Sequence, residues 1–270
     1  MKLNRRSFII KLFLALTGLF FLDVLWFEKY IIQWTTYDLS SSENKIKIVQ
    51  LTDLHINELK SFHKAIARKI NKEHPDLICI TGDSVNNNRG LPVFNQFLGL
   101  IDNDIPKAVI MGNKEYAGKV DINSFRTLIK NQNGRLLINE SLKFSTPGRS
   151  LVIIGVDDFI GGNPDFSYAA TEYDNSEEAI VLNHCPEYSE EIALLNETQK
   201  VNVKLLLSGH THGGQITFLG KAFYKPGGSG RFLRGWYKLN DIKMYVSKGI
   251  GTKYIPIRMG CRAEASIFYV

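Results

Sequence analysis

Apolar residues in this chain gather into short unbroken runs, each closed by a polar residue capable of chemistry. Such runs fall at 46–52, 77–81, 107–111, 151–156, 179–183 and 203–207. Runs of strand length, bounded by turn-forming residues, predict buried strands. Between the first two, residues 60–73 place Phe62, Ala65, Ile66 and Ile70 on one helical face, and Pro75-Asp76 ends that helix. Further helices are expected over 92–102, 122–131 and from Pro186 to about 196. Strands alternating with helices predict an α/β architecture. Beyond residue 215 the chain is glycine-rich and mostly β, with strands expected at 244–247 and 266–270.

The amino terminus has a different pattern. Lys2, Arg5, Arg6 and Lys11 precede or flank the apolar stretch 12–22, which resumes after Asp23 and runs to Phe27. A basic region followed by an apolar segment is the build of a targeting sequence, and Arg5-Arg6 with Phe8 resembles a twin-arginine export signal. No small-x-small cleavage site follows, so the segment is also suited to remain as an anchor. A span would have to absorb Asp23, because a bilayer core requires about 20 residues. Residues 1–30 are therefore assigned to a signal or anchor, 31–45 to a polar linker and 46–270 to one domain. Basic residues ahead of the segment favour an extracytoplasmic domain, the alternative being the cytoplasmic face of the membrane.

The net charge of +6 is unevenly distributed, with ten Lys or Arg against Asp241 alone in residues 221–262. That suits an anionic substrate or a lipid head-group surface, and Lys248, Lys253 and Arg258 are the candidate contacts. No nucleic-acid module is present, and a monomer is expected. The cysteines, Cys79, Cys185 and Cys261, lack metal or redox spacing and are read as structural.

The candidate chemistry lies where the strands end. Five runs terminate in Asp53 and His55, in Asp83, in Asn113, in His184 and in His210 and His212. Each is a metal-ligating type. By chance such residues would fall on both edges of a sheet; here all fall at carboxyl ends, where α/β proteins present their sites. Asp157 and Asp158 share that edge as supporting or loop-forming residues, while His63 and His74 are expected at the surface.

Asp53-x-His55, Gly82-Asp83, Gly112-Asn113, His184 and Gly209-His210-Thr211-His212-Gly213-Gly214-Gln215 resemble, in that order, the calcineurin-like metallophosphoesterases. Lys248-Gly249-Ile250-Gly251-Thr252 looks like the small exported bacterial branch. The resemblance implies a four-layer sandwich, two mixed β-sheets flanked by helices, with a dinuclear metal site at strand ends. It also implies that Asp53, His55 and His212 hold one cation, that Asn113, His184 and His210 hold a second, and that Asp83 bridges them. Imidazoles favour manganese, iron or zinc over magnesium or calcium. Such a pair makes water acidic enough to attack phosphorus near neutral pH and stabilises the developing charge.

Asp53, His210 and Lys114 are the residues expected to serve catalysis. Lys114 departs from the family's pattern, which has a histidine there to protonate the leaving oxygen. An ammonium with an ordinary pKa of about 10.4 is a poor proton donor at pH 7, although two cations nearby would lower it. The expected activity is a phosphodiesterase at or across a bacterial membrane, acting on an anionic phosphate ester, either free or lipid-linked. The alternatives are hydrolysis of UDP-2,3-diacylglucosamine in lipid A synthesis and a degenerate binder of metal or phosphate.

Overall fold

In the computed structural model the described residues are 4–171, 173 and 177–270. Lys2 of the basic leader lies outside them. The strands, in chain order, are β1 (Gln33–Asp38), β2 (Lys47–Leu51), β3 (Leu77–Thr81), β4 (Lys107–Ile110), β5 (Gly134–Leu137), β6 (Glu140–Thr146), β7 (Arg149–Gly155), β8 (Ala179–Leu182), β9 (Val203–Ser208), β10 (Thr217–Phe218), β11 (Lys221–Ala222), β12 (Gly235–Leu239), β13 (Ile242–Val246) and β14 (Glu264–Tyr269). Two six-stranded mixed sheets result, ordered β1-β14-β2-β3-β4-β5 and β12-β13-β9-β8-β7-β6, with β10 and β11 forming a separate hairpin. Strands β2, β3 and β4 run parallel in the first sheet, and β7, β8 and β9 in the second.

The unbroken apolar runs follow from what lies on each face. Side chains alternate across a strand. Ile48, Leu77, Cys79, Ala108 and Ile110 therefore meet Ile153, Ile180, Leu182, Leu205 and Leu207 between the two sheets. The intervening residues Val49, Leu51, Ile78, Ile80 and Val109 face the helices Ser61–Glu73, Leu91–Leu98 and Ile122–Asn131 through Ile66, Ile70, Phe94, Phe97, Phe125 and Ile129. On the other side Val152, Ile154, Val181 and Leu206 pack on Tyr188 and Ile192 of the helix Tyr188–Gln199. Three apolar layers separate four layers of structure. A strand buried on both faces cannot alternate apolar with polar, which is why these runs are continuous.

Some expectations change. The helix expected over 92–102 is Leu91–Leu98. Within the expected linker, Gln33–Asp38 forms β1 and pairs in parallel with β14, from Gln33 with Glu264 to Asp38 with Tyr269. As a span requires, the amino-terminal helix absorbs Asp23, passing there into a π-helical turn over Asp23–Phe27. That helix runs from Arg5 to Tyr30, is 26 residues long and apolar enough to cross a membrane, and is almost entirely uncovered by the domain.

Candidate metal centre

The ends of β2, β3 and β4 in one sheet meet the ends of β8 and β9 in the other, and all seven candidate ligands converge there. Asp53, Asp83, His184, His210 and His212 are almost wholly buried, and His55 and Asn113 nearly so. Five of them, Asp53, His55, Asp83, His210 and His212, adopt left-handed backbone conformations with φ of 52°, 46°, 52°, 69° and 49°. Asp, Asn and His tolerate this region better than most residues, so a strand can end in them and still reverse sharply enough to aim the side chain at the sheet edge. Left-handed backbone at non-glycine residues costs on the order of 1 kcal/mol or more each and collects at functional sites.

Two donor groups share one carboxylate. In the first, His55 Nε2 lies 3.1 Å from His212 Nε2, and Asp53 Oδ1 is 3.4 Å from His212 Nε2 and 4.0 Å from His55 Nε2. In the second, Asn113 Oδ1 is 2.9 Å from His210 Nδ1 and 3.3 Å from His184 Nε2, and these two ring nitrogens are 3.3 Å apart. Asp83 faces both groups, with Oδ2 3.6 Å from His55 Nε2 and Oδ1 3.4 Å from His184 Nε2.

The outward nitrogens of three rings are held by oxygen. His55 Nδ1 meets Asn86 Oδ1 at 2.8 Å, His184 Nδ1 meets Thr81 O at 2.8 Å, and His210 Nε2 meets Gly227 O at 2.6 Å. An N–H donated to each oxygen leaves the inward nitrogen as a lone pair, the arrangement used by metal-binding histidines. Two lone pairs, an amide oxygen and a carboxylate oxygen then point at one another in the second group. Asp53 Oδ1 and Asp83 Oδ2 are buried without a hydrogen-bond partner. Buried acceptors facing acceptors demand positive charge, and these donors fit a pair of divalent cations.

A proton answers the same demand. Burial pushes His184 down, but the Asp83 and Asp53 carboxylates outweigh it and raise the ring to about 10. Burial likewise pushes the Asp83 carboxyl up, and His184 and His55 overcome this to hold it low. Asp53 is raised by burial. His210 is pushed down to about 3 by burial and then by His184, and His212 is also lowered by burial and by His55.

Supporting residues complete the frame. His210 N–H donates to Asp53 Oδ2 at 2.9 Å. Glu115 accepts N–H from Asp83 at 3.1 Å and Gly112 at 3.0 Å on one oxygen, and from Val85 at 3.0 Å on the other. It thereby ties the ends of β3 and β4 together. Burial and the Asp83 carboxylate push Glu115 up to about 8, while the N–H donors pull it down. Asn86 and Gly227 carry no sequence signal for these roles, because each acts through a single acceptor atom. Position 115 had a signal in being the last residue of the Gly112-Asn113-Lys114-Glu115 string.

Other candidates separate. Lys114 N–H donates to Asp83 Oδ1 at 2.7 Å, and its ammonium lies 5.6 Å from the centre of the Tyr254 ring. Asp157 and Asp158 form the following loop: Asp157 accepts from Asn163 N–H at 2.8 Å, and Asp158 from Gly161 N–H at 2.6 Å and from the Cys185 thiol at 3.3 Å. Burial, then Asp158, raises the Cys185 thiol well above its usual range, so it stays protonated. His74 is exposed, but His63 is buried, with Nδ1 accepting Lys60 N–H at 3.0 Å. A helical face containing Ile66 and Ile70 carries it inward. Arg258 is not a substrate contact either. It is fully buried and donates to the carbonyls of Lys248, Gly249, Gly251 and Cys261. Lys248 is paired with Glu264 at 2.8 Å. Lys253 remains available beside the site.

Residues 46–214 match the family of calcineurin-like phosphoesterases. This chain belongs to that family. Among its relatives, the uncharacterized metallophosphoesterase YkuE of Bacillus subtilis strain 168 is 28% identical over 99% of this chain and 97% of that protein. The uncharacterized protein YpbG of the same organism is 30% identical over 86% of this chain and 84% of its own length. The fold is also seen in the solved structure of TT1561 from Thermus thermophilus, with a TM-score of 0.51 and 14% identity, over 77% of this chain and 91% of that one. This calcineurin-like phosphoesterase has its matched region in the stretch that supplies all seven clustered side chains.

Proposed function

We propose that the chain is a two-metal phosphodiesterase tethered to the outer face of a bacterial membrane by its amino-terminal helix. The observation that carries this reading is Asp83, a buried carboxylate with one oxygen toward His55 and the other toward His184. Asp53, His55 and His212 would hold one cation and Asn113, His184 and His210 the other, and Asp83 would serve both groups. When bound, the two cations supply the charge that makes water nucleophilic near pH 7 and stabilises negative charge on the phosphate. The imidazole-rich donor set favours manganese, iron or zinc.

The chain's own groups do the rest. Asn86, Thr81 and Gly227 hold the rings in orientation. The ammonium groups of Lys114 and Lys253, lying 5.6 and 5.3 Å from the Tyr254 ring, place positive charge at the mouth for an anionic ester. At position 114, where the resemblance expects histidine, an ammonium is a weaker general acid than an imidazolium, so esters with acidic leaving groups are preferred.

Bis(4-nitrophenyl) phosphate with added Mn²⁺ tests the reading. Turnover abolished by chelation and by His210→Ala is the expected result. Metal bound at two equivalents with no turnover on any ester overturns it in favour of a binding protein. The Arg5-Arg6 pair ahead of the helix supports the outer face, and a reporter fused after Val270 that is active only in the cytoplasm removes that part.

A further inference from the structure

The motif's last residue, Gln215, plays no part at the metal centre. Its side chain donates to the carbonyls of Lys253 at 3.1 Å and Ile255 at 2.8 Å, and accepts Lys253 N–H at 2.7 Å. It thus fastens the 253–255 loop to the loop that bears His210 and His212. Between the two lies a groove of about 280 Å³ lined by His212, Ile216, Phe223, Tyr224, Tyr254 and Ile255, among others. Phe223, Tyr224, Tyr254 and Ile255 are more than half exposed. The hairpin of β10 and β11 continues this apolar rim. Phe218 is 62% exposed, and Leu219 at the tip is 88% exposed.

Leu219 is out of keeping with its turn. With Gly220 it forms a two-residue hairpin loop in which both residues have positive φ, 48° and 80°. Asn or Asp is the favoured partner of Gly in such a loop, and leucine is strained there. Neither local conformation nor core packing calls for an apolar side chain at this point. An exposed apolar patch that local structure does not explain marks a contact surface.

The occupant is indicated by what the rim is attached to. The loop that continues from Tyr254 and Ile255 is bound to the end of the amino-terminal helix. Lys29 Nζ donates to Pro256 O at 3.0 Å, Arg258 N–H donates to Val24 O at 3.3 Å, and the Glu28 carboxylate accepts Gly260 N–H and Cys261 N–H, each at 3.0 Å. The Arg262 guanidinium lies 4.5 Å from the Phe27 ring centre. A helix able to cross a membrane therefore ends against the loop that walls the groove. Lys221, Lys225 and Lys253 stand among the exposed apolar residues, the mixture that binds an anionic lipid interface.

We infer that the rim formed by Phe218, Leu219, Phe223, Tyr224, Tyr254 and Ile255 docks on an anionic phospholipid membrane, so that the metal centre faces phosphoesters carried by lipid. The inference deepens the phosphodiesterase reading by naming its substrate as membrane-borne, and the docking itself can be measured without turnover.

The test uses the full chain reconstituted in phosphatidylcholine vesicles containing phosphatidylglycerol. The three native cysteines are buried, so a nitroxide reports selectively from Leu219→Cys or, as control, from Leu194→Cys on the helix Tyr188–Gln199. Leu194 is 64% exposed and lies outside the rim. The expected result is a label at 219 reached by oxygen and shielded from a water-soluble nickel chelate, with the label at 194 showing the reverse. Two labels alike, both in water or both in lipid, overturn the docking surface, as does shielding at 219 that appears only with a second protein present. Activity supplies a second readout. Phe218→Ser with Leu219→Ser should leave bis(4-nitrophenyl) phosphate turnover unchanged and reduce hydrolysis of phosphatidylglycerol in the vesicles at least tenfold, and equal effects on the two esters overturn the lipid-facing orientation of the metal centre. Shielding at 219 in a protein that cleaves nothing refutes the phosphodiesterase reading and leaves the docking intact.

Discussion

His55 and His212 stand ring to ring, Nε2 to Nε2 at 3.1 Å with planes 17° apart, although one follows a strand of the first sheet and the other a strand of the second. The site therefore exists only where the two sheets are joined. His212→Ala removes a donor from the first group and leaves Asn113, His184 and His210 in place. Metal analysis by mass spectrometry should show about one cation per chain in place of two. Turnover should fall on the order of 100-fold or more, since even residues supporting metal ligands are worth 10–100-fold. Retention of two equivalents would show that His212 is not a ligand.

Lys114 gives a prediction about substrate. Its backbone holds Asp83 while its ammonium reaches the Tyr254 ring, so Lys114→His keeps the backbone bond and adds a group that titrates near neutrality. Alkyl phosphodiester turnover should rise about 10-fold or more, within the range proton donation contributes. The aryl diester, whose leaving group needs no proton, should change by about twofold at most. Equal effects on both esters would show that position 114 does not serve the leaving group.

The convergence of the seven candidate residues was legible in the sequence because strand-end residues are fixed by topology: a parallel strand buried on both faces places whatever follows it at one edge. The acceptors behind the ligands were not legible. Asn86, Gly227 and the Thr81 carbonyl act through single atoms placed by tertiary packing, and any residue has a carbonyl. Arg258 misled for a related reason. Cationic residue types suggested substrate contacts, but only the fold reveals that four carbonyls surround this guanidinium and keep it inside. The edge strand β1 was hidden because Gln33–Asp38 carries a polar, partly exposed pattern, which reads as a linker until β14 is found beside it.

Gly249, in the stretch that resembles the exported branch, lies against the metal centre with φ of 67°, where a Cβ would come 2.8 Å from the Asp53 Cβ. Gly249→Ala therefore adds left-handed strain and a clash with a ligand's own side chain. A loss of about 1–3 kcal/mol is expected, seen as a lower urea midpoint with an unchanged slope and accompanied by weaker metal retention. Wild-type stability and metal content in this variant would show that Asp53 is not held by close backbone packing.

His63 supplies a pH signature remote from catalysis. Its ring packs 3.9 Å from the Phe62 ring centre and accepts Lys60 N–H on Nδ1. Burial, then the Lys60 charge, lowers it from 6.5 to about 4. Between those values the unfolded chain takes up a proton that the folded chain refuses, so stability falls with falling pH. The contribution is fully present above pH 6.5, is lost progressively down to about pH 4, and changes no further below that. A shift of this size corresponds to about 3 kcal/mol across the window. His63→Gln retains an acceptor for the Lys60 N–H and cannot titrate. Urea unfolding at a series of pH values should therefore show an acid limb shallower by that amount than the wild type's, both measured with metal chelated. Superimposable limbs would mean that His63 is protonated as readily in the folded protein as in the unfolded chain.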